Sequence, residues 1–168
     1  MKILVVSDIH RDKKRLDAIL NEHTDASLRI SLGDSELSSR TLSDKDILAV
    51  KGNYPFDAGI GYDHVLTVSG RRWLLTHGHK YGVRNQLEEL YAAMQDQTCE
   101  VALYGHTHRA AWTKRKGCLM INPGSISQSR DDKPESYLIV SGDAAQWVFS
   151  WYDARYHTLI DRIEHRVG

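Results

Sequence analysis

The chain has 168 residues, enough for one domain with a sizeable core, expected here over residues 1–168. Hydrophobic residues are 41% and charged residues 26%, the balance of an ordinary soluble globular protein. Lysine plus arginine is 22 and aspartate plus glutamate is 22, so the formal net charge is zero, which argues against a nucleic-acid binder that works by neutralising phosphates.

A first strand over residues 2–7 precedes a helix over 12–23 with Leu16, Ile19 and Leu20 on one face. A strand over 28–32 is followed by a polar stretch at 35–46, read as a short helix and loop, and by a third strand over 46–50. Residues 57–61 are glycine-rich and read as a loop. Residues 63–69 and 71–76 form a hairpin turning near Ser69-Gly70. The clearest helix spans 84–97, because Leu87, Leu90, Tyr91 and Met94 repeat at i, i+3, i+4 and i+7. A strand over 101–104 follows, then strands at 110–113 and 118–121 around a basic turn, Lys114-Arg115-Lys116. A hairpin of 137–141 and 146–152 and a last edge strand within 156–166 complete the chain. β-α-β units followed by antiparallel hairpins fit two sheets packed face to face with helices outside, an α/β sandwich. No apolar run approaches the roughly 18–20 residues of a membrane helix. Met1-Lys2 leads straight into a strand, unlike a signal peptide, so a cytoplasmic location is expected. Cys99 and Cys118 are read as reduced, buried thiols.

Five of the short apolar runs end on residues that bind metals: Asp8 and His10, Gly33-Asp34, Gly52-Asn53, His77, and Gly105-His106-Thr107-His108. Ligands in open α/β sheets bind beyond the carboxyl ends of strands, so one edge should collect this set. Asp8 and His10 are two apart at a strand end and should point the same way, as should His106 and His108. Sorting by strand neighbours gives two half-sites. Asp8, His10 and His108 hold one ion, and Asn53, His77 and His106 the other, with Asp34 shared between them. Mixed nitrogen and oxygen donors without thiolate suit Mn²⁺, Fe²⁺, Ni²⁺ or Zn²⁺. Two such ions form a clamp for in-line attack at phosphorus by a bridging hydroxide. No serine or cysteine nucleophile motif is present.

These motifs, in this order and spacing, resemble the calcineurin-like metallophosphoesterase superfamily. Thr76-His77-Gly78-His79-x-Tyr81-Gly82 and Asn122-Pro123-Gly124-Ser125 resemble its small YfcE/YsnB-type phosphodiesterase branch. The resemblance implies a four-layer αββα sandwich, a dinuclear centre commonly filled by Mn²⁺, and hydrolysis of a small-molecule or short nucleotide phosphodiester. It implies catalysis at Asp34, Asn53, His77 and His106, with Arg11, Asn53 and His79 toward the substrate. Many relatives have histidine and an acidic residue after Gly52-Asn53; here Tyr54 and Pro55 follow. A phenol of ordinary pKa near 10 is a poor substitute for a proton-donating histidine, so substrates with good leaving groups should be preferred. Asp57 is a candidate substitute for the missing acid. Arg11 either clamps a phosphate oxygen or faces water. Arg109 and Arg130 are read first as solvated surface arginines, and Asn122 to Ser125 equally as site lining or as a structural turn. A phosphomonoesterase is the alternative among enzymes. A scaffold, like the retromer subunit that shares this fold, is the alternative outside them, although the complete ligand set speaks against it. Edge strands near the carboxyl terminus offer a route to a homodimer.

Overall fold

The computed structural model describes residues 1–54 and 59–166, so Pro55 and Asp57 lie outside the described residues. In chain order the elements are β1 (Lys2–Val6), α1 (Lys13–Glu22), β2 (Leu28–Ser31), α2 (Ser39–Asp44), β3 (Ile47–Ala49), β4 (Asp63–Val68), β5 (Arg71–Thr76), a 3₁₀ turn (His79–Tyr81), α3 (Glu88–Asp96), β6 (Val101–Tyr104), β7 (Ala110–Arg115), β8 (Cys118–Pro123), β9 (Ser136–Gly142), β10 (Gln146–Asp153) and β11 (Leu159–Arg166). They build a six-stranded sheet, β11-β10-β9-β1-β2-β3, and a five-stranded sheet, β4-β5-β6-β8-β7. β1, β2 and β3 run parallel, as do β5, β6 and β8, while the hairpins pair antiparallel at the sheet margins.

The alternation of each strand decides what lies between the sheets. Ile3 and Val5 of β1 face Trp73 and Leu75 of β5, Leu103 of β6 and Ile121 of β8, together with Trp147, Phe149 and Trp151 of β10. Leu4 and Val6 point the other way, onto Leu16, Ile19 and Leu20 of α1. Leu74 and Ala102 of the second sheet likewise meet Leu90 and Met94 of α3. The layers are therefore helix, sheet, sheet, helix, as expected. Cys99 and Cys118 are both free and buried. No helix among the described residues is long and apolar enough to cross a membrane.

Element ends depart from expectation for identifiable reasons. α1 lacks the outermost residues because Asp12 caps it, its Oδ1 accepting from Arg15 N–H at 3.0 Å. α3 begins at Glu88 rather than at residue 84. Gly82, in the left-handed region, starts a turn in which its carbonyl accepts from Asn85 N–H and Gln86 N–H, and the Gln86 side chain then takes Glu88 N–H. Leu87 still packs beside Leu90 and Met94, so the apolar stripe is real although its first turn is not helical. β11 starts at Leu159 because Asp153 closes a turn, its Oδ1 accepting from Arg155 N–H and Tyr156 N–H.

Phe149 is completely buried between the sheets beside Trp73, 5.9 Å between ring centroids. Phe149→Ala should cost about 3–5 kcal/mol of stability, read as a lowered midpoint in urea unfolding with little change of slope.

Candidate metal centre

The strands stop short of the ligands. β1 ends at Val6, two residues before Asp8, and β6 ends at Tyr104, two before His106. Asp8, His10, Asp34, His106 and His108 all have positive φ, between 46° and 69°, a conformation that costs a non-glycine residue energy. The expectation that Asp8 and His10 share a direction by strand alternation is therefore corrected: they share it because a strained loop turns both inward. Their loops are pinned from outside. Ser125 Oγ and Ser127 Oγ donate to the Asp8 carbonyl at 2.8 and 3.0 Å. Asn122 Nδ2 donates to the Gly105 carbonyl and to Thr107 Oγ1 at 2.9 and 3.0 Å. Asn122 to Ser125 is thus a brace that holds two ligand loops in place, a role visible only once the loops are adjacent.

Glycines make the space. A Cβ on Gly105 would meet Ser7 Oγ at 2.0 Å and Asp8 Oδ2 at 2.9 Å. One on Gly52 would meet Asp34 Oδ1 at 2.0 Å. The two carboxylates can approach the neighbouring loops only because both positions are bare.

Asp8 is fully buried. Its Oδ2 accepts from Ser7 Oγ at 2.7 Å and from His106 N–H at 3.1 Å. Its Oδ1 accepts no hydrogen bond of proper geometry, yet Nε2 of His108 lies 3.1 Å away and Nε2 of His10 and His77 each 3.9 Å. The other ring nitrogens are committed outward. His77 Nδ1 donates to the Leu32 carbonyl at 2.7 Å and His108 Nδ1 to the Gln128 carbonyl at 2.7 Å, while His10 Nδ1 lies 3.0 Å from Glu36 Oε1. In a neutral imidazole this turns the Nε2 lone pair inward. The Nε2 atoms of His10 and His108 then face each other at 3.2 Å, and His106 Nδ1 faces His77 Nε2 at 3.2 Å. Ring nitrogens opposed in pairs around an orphaned carboxylate oxygen form an arrangement that a positive charge would complete. The donor set fits divalent cations on this ground.

Two donor groups form, Asp8-His10-His108 and Asp8-Asp34-His77. Asp8 belongs to both groups, and Asp34 stands in the second. Asp34 Oδ2 stands 3.4 Å from His77 Nε2, and Asn53 Oδ1 lies 3.0 Å from that same nitrogen. Asn53 and His106 therefore both stand beside His77 of the second group. His79, in the 3₁₀ turn, sits at the rim, its ring centroid 5.4 Å from that of His77 and 6.0 Å from that of His106.

Arg11 does not simply face water. Its Nη2 donates to Tyr54 Oη at 2.6 Å and its Nε pairs with Glu36 Oε2 at 3.1 Å. Because Glu36 also holds His10, a chain of polar contacts runs from Tyr54 through Arg11 and Glu36 to a ligand. Sequence reading missed Glu36, whose only signal is a carboxylate two residues beyond Asp34.

Charge at the centre follows from these contacts. Burial opposes ionisation of Asp8, but the imidazoles of His108 and His77 outweigh it and hold its pKa below the usual range. Asp34 works against burial in the same way, and His77 with the Tyr54 backbone N–H brings it to about 2. His77 is raised, since Asp34 and Asp8 overcome its burial. His106 is pushed down to about 4, by burial first and then by the charges of His77 and Arg84. In the metal-free protein, His106 binds a proton more weakly folded than unfolded. Its contribution therefore makes stability rise with pH between about 4 and 6.5. Asp34 adds a loss only as pH falls below the ordinary carboxylate range toward 2. Urea unfolding of metal-free protein from pH 4 to 6.5 should show that rise, and His106→Asn should reduce it, the part due to the other lowered histidines, His23, His79 and His165, remaining.

Residues 1–145 match the family model described as the calcineurin-like phosphoesterase superfamily domain. The chain is 33% identical over 168 residues to the "Probable metallophosphoesterase YsnB" of Bacillus subtilis, covering 99% of both chains. It is 37% identical over 73 residues to "Phosphodiesterase YfcE" of Escherichia coli K12, covering 44% of this chain and 36% of that one. A crystal structure from Streptococcus pneumoniae, described as a predicted phosphoesterase, superposes with a TM-score of 0.89 at 27% identity, covering 98% of this chain and 97% of that one. With the fold, the ligand order and the whole-length relative in agreement, this chain belongs to the calcineurin-like phosphoesterase superfamily.

Proposed function

We propose that this protein is a phosphodiesterase that hydrolyses a small-molecule or short nucleotide diester with the help of two divalent cations, Mn²⁺ first among the candidates. The observation that carries the proposal is the orphaned Asp8 oxygen ringed by inward-facing imidazole nitrogens. Asp8, His10 and His108 would hold one cation, and Asn53, His77 and His106 the other, with Asp34 shared between them. When bound, such a pair supplies the positive charge that ionises an attacking water near neutral pH and neutralises the phosphoryl oxygens.

The protein's own groups set the rest. In the hydrolysis a water oxygen bonds to phosphorus, one P–O ester bond breaks, and the leaving oxygen departs, taking a proton where its basicity demands one. Asn53 and His106 bound the centre beside His77, and His79 at the rim faces the space where a substrate would lie. Tyr54, tied to Arg11, follows Asn53 at the position where many relatives carry a histidine. A phenol gives up its proton reluctantly at neutral pH, so leaving groups that depart as stable anions are favoured. Arg11 spends part of its charge on Glu36. That leaves less cationic charge for a dianionic monoester and favours the singly charged diester. The name phosphodiesterase carried by the YfcE relative agrees with this reading.

Metal-stripped protein reconstituted with Mn²⁺ should hydrolyse bis-p-nitrophenyl phosphate faster than p-nitrophenyl phosphate. Asp34→Asn should lower the diester rate by about a hundredfold or more. Faster monoester turnover would make the protein a phosphomonoesterase. Stoichiometric metal binding with no turnover of either ester would favour a scaffold.

A further inference from the structure

Beside the His106–His108 loop the chain builds a cavity of about 420 Å³, lined by Arg84, Arg109 and Arg130 with Val83, Tyr104 and Thr107. The arginines come from three separate segments: the turn before α3, the start of β7 and the loop before β9. Two are fixed to the ligand loop itself. Arg130 N–H donates to the His108 carbonyl at 3.1 Å. Arg109 N–H donates to Thr107 Oγ1 at 3.2 Å, and Arg109 Nε donates to the Arg130 carbonyl at 3.3 Å. Thr107, which lines the cavity, lies between two metal-ligand candidates in the chain. The cavity and the centre therefore share one loop.

Among the described residues, none of these three guanidinium groups forms an ion pair with a carboxylate. By contrast Arg11, Arg15, Arg40, Arg71, Arg115, Arg155 and Arg162 each have one, while Arg29 and Arg72, on other faces, donate to backbone carbonyls. Three exposed guanidinium groups of like sign lining one concave surface make it favourable to an anion. Forked donors of this kind suit phosphate oxygens. The buried, apolar faces of Val83 and Tyr104 form one wall, against which a sugar or ring could lie.

We propose that Arg84, Arg109 and Arg130 form a specificity subsite for a second phosphate, so that the preferred substrate is a phosphodiester whose retained half carries another phosphate group. This rests on the phosphodiesterase reading above. The subsite binds charge that the scissile diester does not have, and it selects among diesters rather than taking part in bond cleavage.

The test uses Mn²⁺-loaded full-length protein and two substrates with the same scissile bond and leaving group: thymidine 5′-(p-nitrophenyl phosphate) and the same ester bearing a 3′-phosphate. The 3′-phosphorylated ester should have a kcat/KM higher by about tenfold or more. The triple variant Arg84→Gln/Arg109→Gln/Arg130→Gln should bring that ratio to about one. Arg40→Gln, an exposed arginine of α2, should leave the ratio as it is and so controls for net charge. Calorimetric binding of thymidine 3′,5′-bisphosphate against thymidine 5′-monophosphate should show the same preference and the same loss. This arm does not depend on turnover, so it separates failure of the subsite from failure of the phosphodiesterase reading. A wild-type ratio near one in both arms, or a preference that survives the triple variant, would overturn the proposal.

Discussion

A carboxylate buried with one oxygen unsatisfied is an expensive object, costing on the order of several kcal/mol unless a positive charge stands beside it. Asp8 is such a group, and much of the surrounding structure is arranged around it. Ser7 and the His106 backbone hold its other oxygen, and Ser125 and Ser127 hold its carbonyl. Gly105 gives up its side chain to let the carboxylate in. The histidines nearest the orphaned oxygen turn Nε2 toward it because Leu32, Gln128 and Glu36 occupy their other nitrogens. Groups outside the candidate ligand set thus orient the donors that would meet a cation.

That arrangement depends on the packing of the two sheets. β1, β2 and β3 of one sheet and β5 and β6 of the other carry the ligand loops. The inter-sheet core of Trp73, Trp147, Phe149 and Trp151 fixes the separation of the two sets of strand ends. Trp151 connects the layers directly: its indole N–H donates to the Asn122 carbonyl at 2.8 Å, and the Asn122 side chain braces the loop bearing His106 and His108. The core therefore helps to set ligand positions as well as stability. The strain stored at the positive-φ ligands is sustained by this surrounding structure.

Much of this was legible in the sequence. Apolar runs of strand length ending on Asp, Asn and His located β1, β2, β3, β5 and β6, and the ligand order along the chain carried the family resemblance. What the sequence hid depends on long-range contact. The two donor groups meet at Asp8 because of where the two sheets come together, which no local pattern encodes. Glu36 carried no reading in the sequence, and its links to His10 and, through Arg11, to Tyr54 appear only in the fold. Arg84 carried no signal, since only the turn before α3 brings it to Arg109 and Arg130. The extra turn read into α3 failed for a local reason, a left-handed Gly82 followed by side-chain capping from Gln86.

The central claim is that charge missing at Asp8 is supplied by a pair of closely spaced cations. Electron paramagnetic resonance of metal-free protein titrated with Mn²⁺ tests it most directly. The account predicts about two Mn²⁺ bound per chain, with the spectrum of an exchange-coupled pair, and a loss of the coupled signal in Asp8→Asn. Binding of a single isolated ion, or a coupled signal that persists in Asp8→Asn, would contradict it.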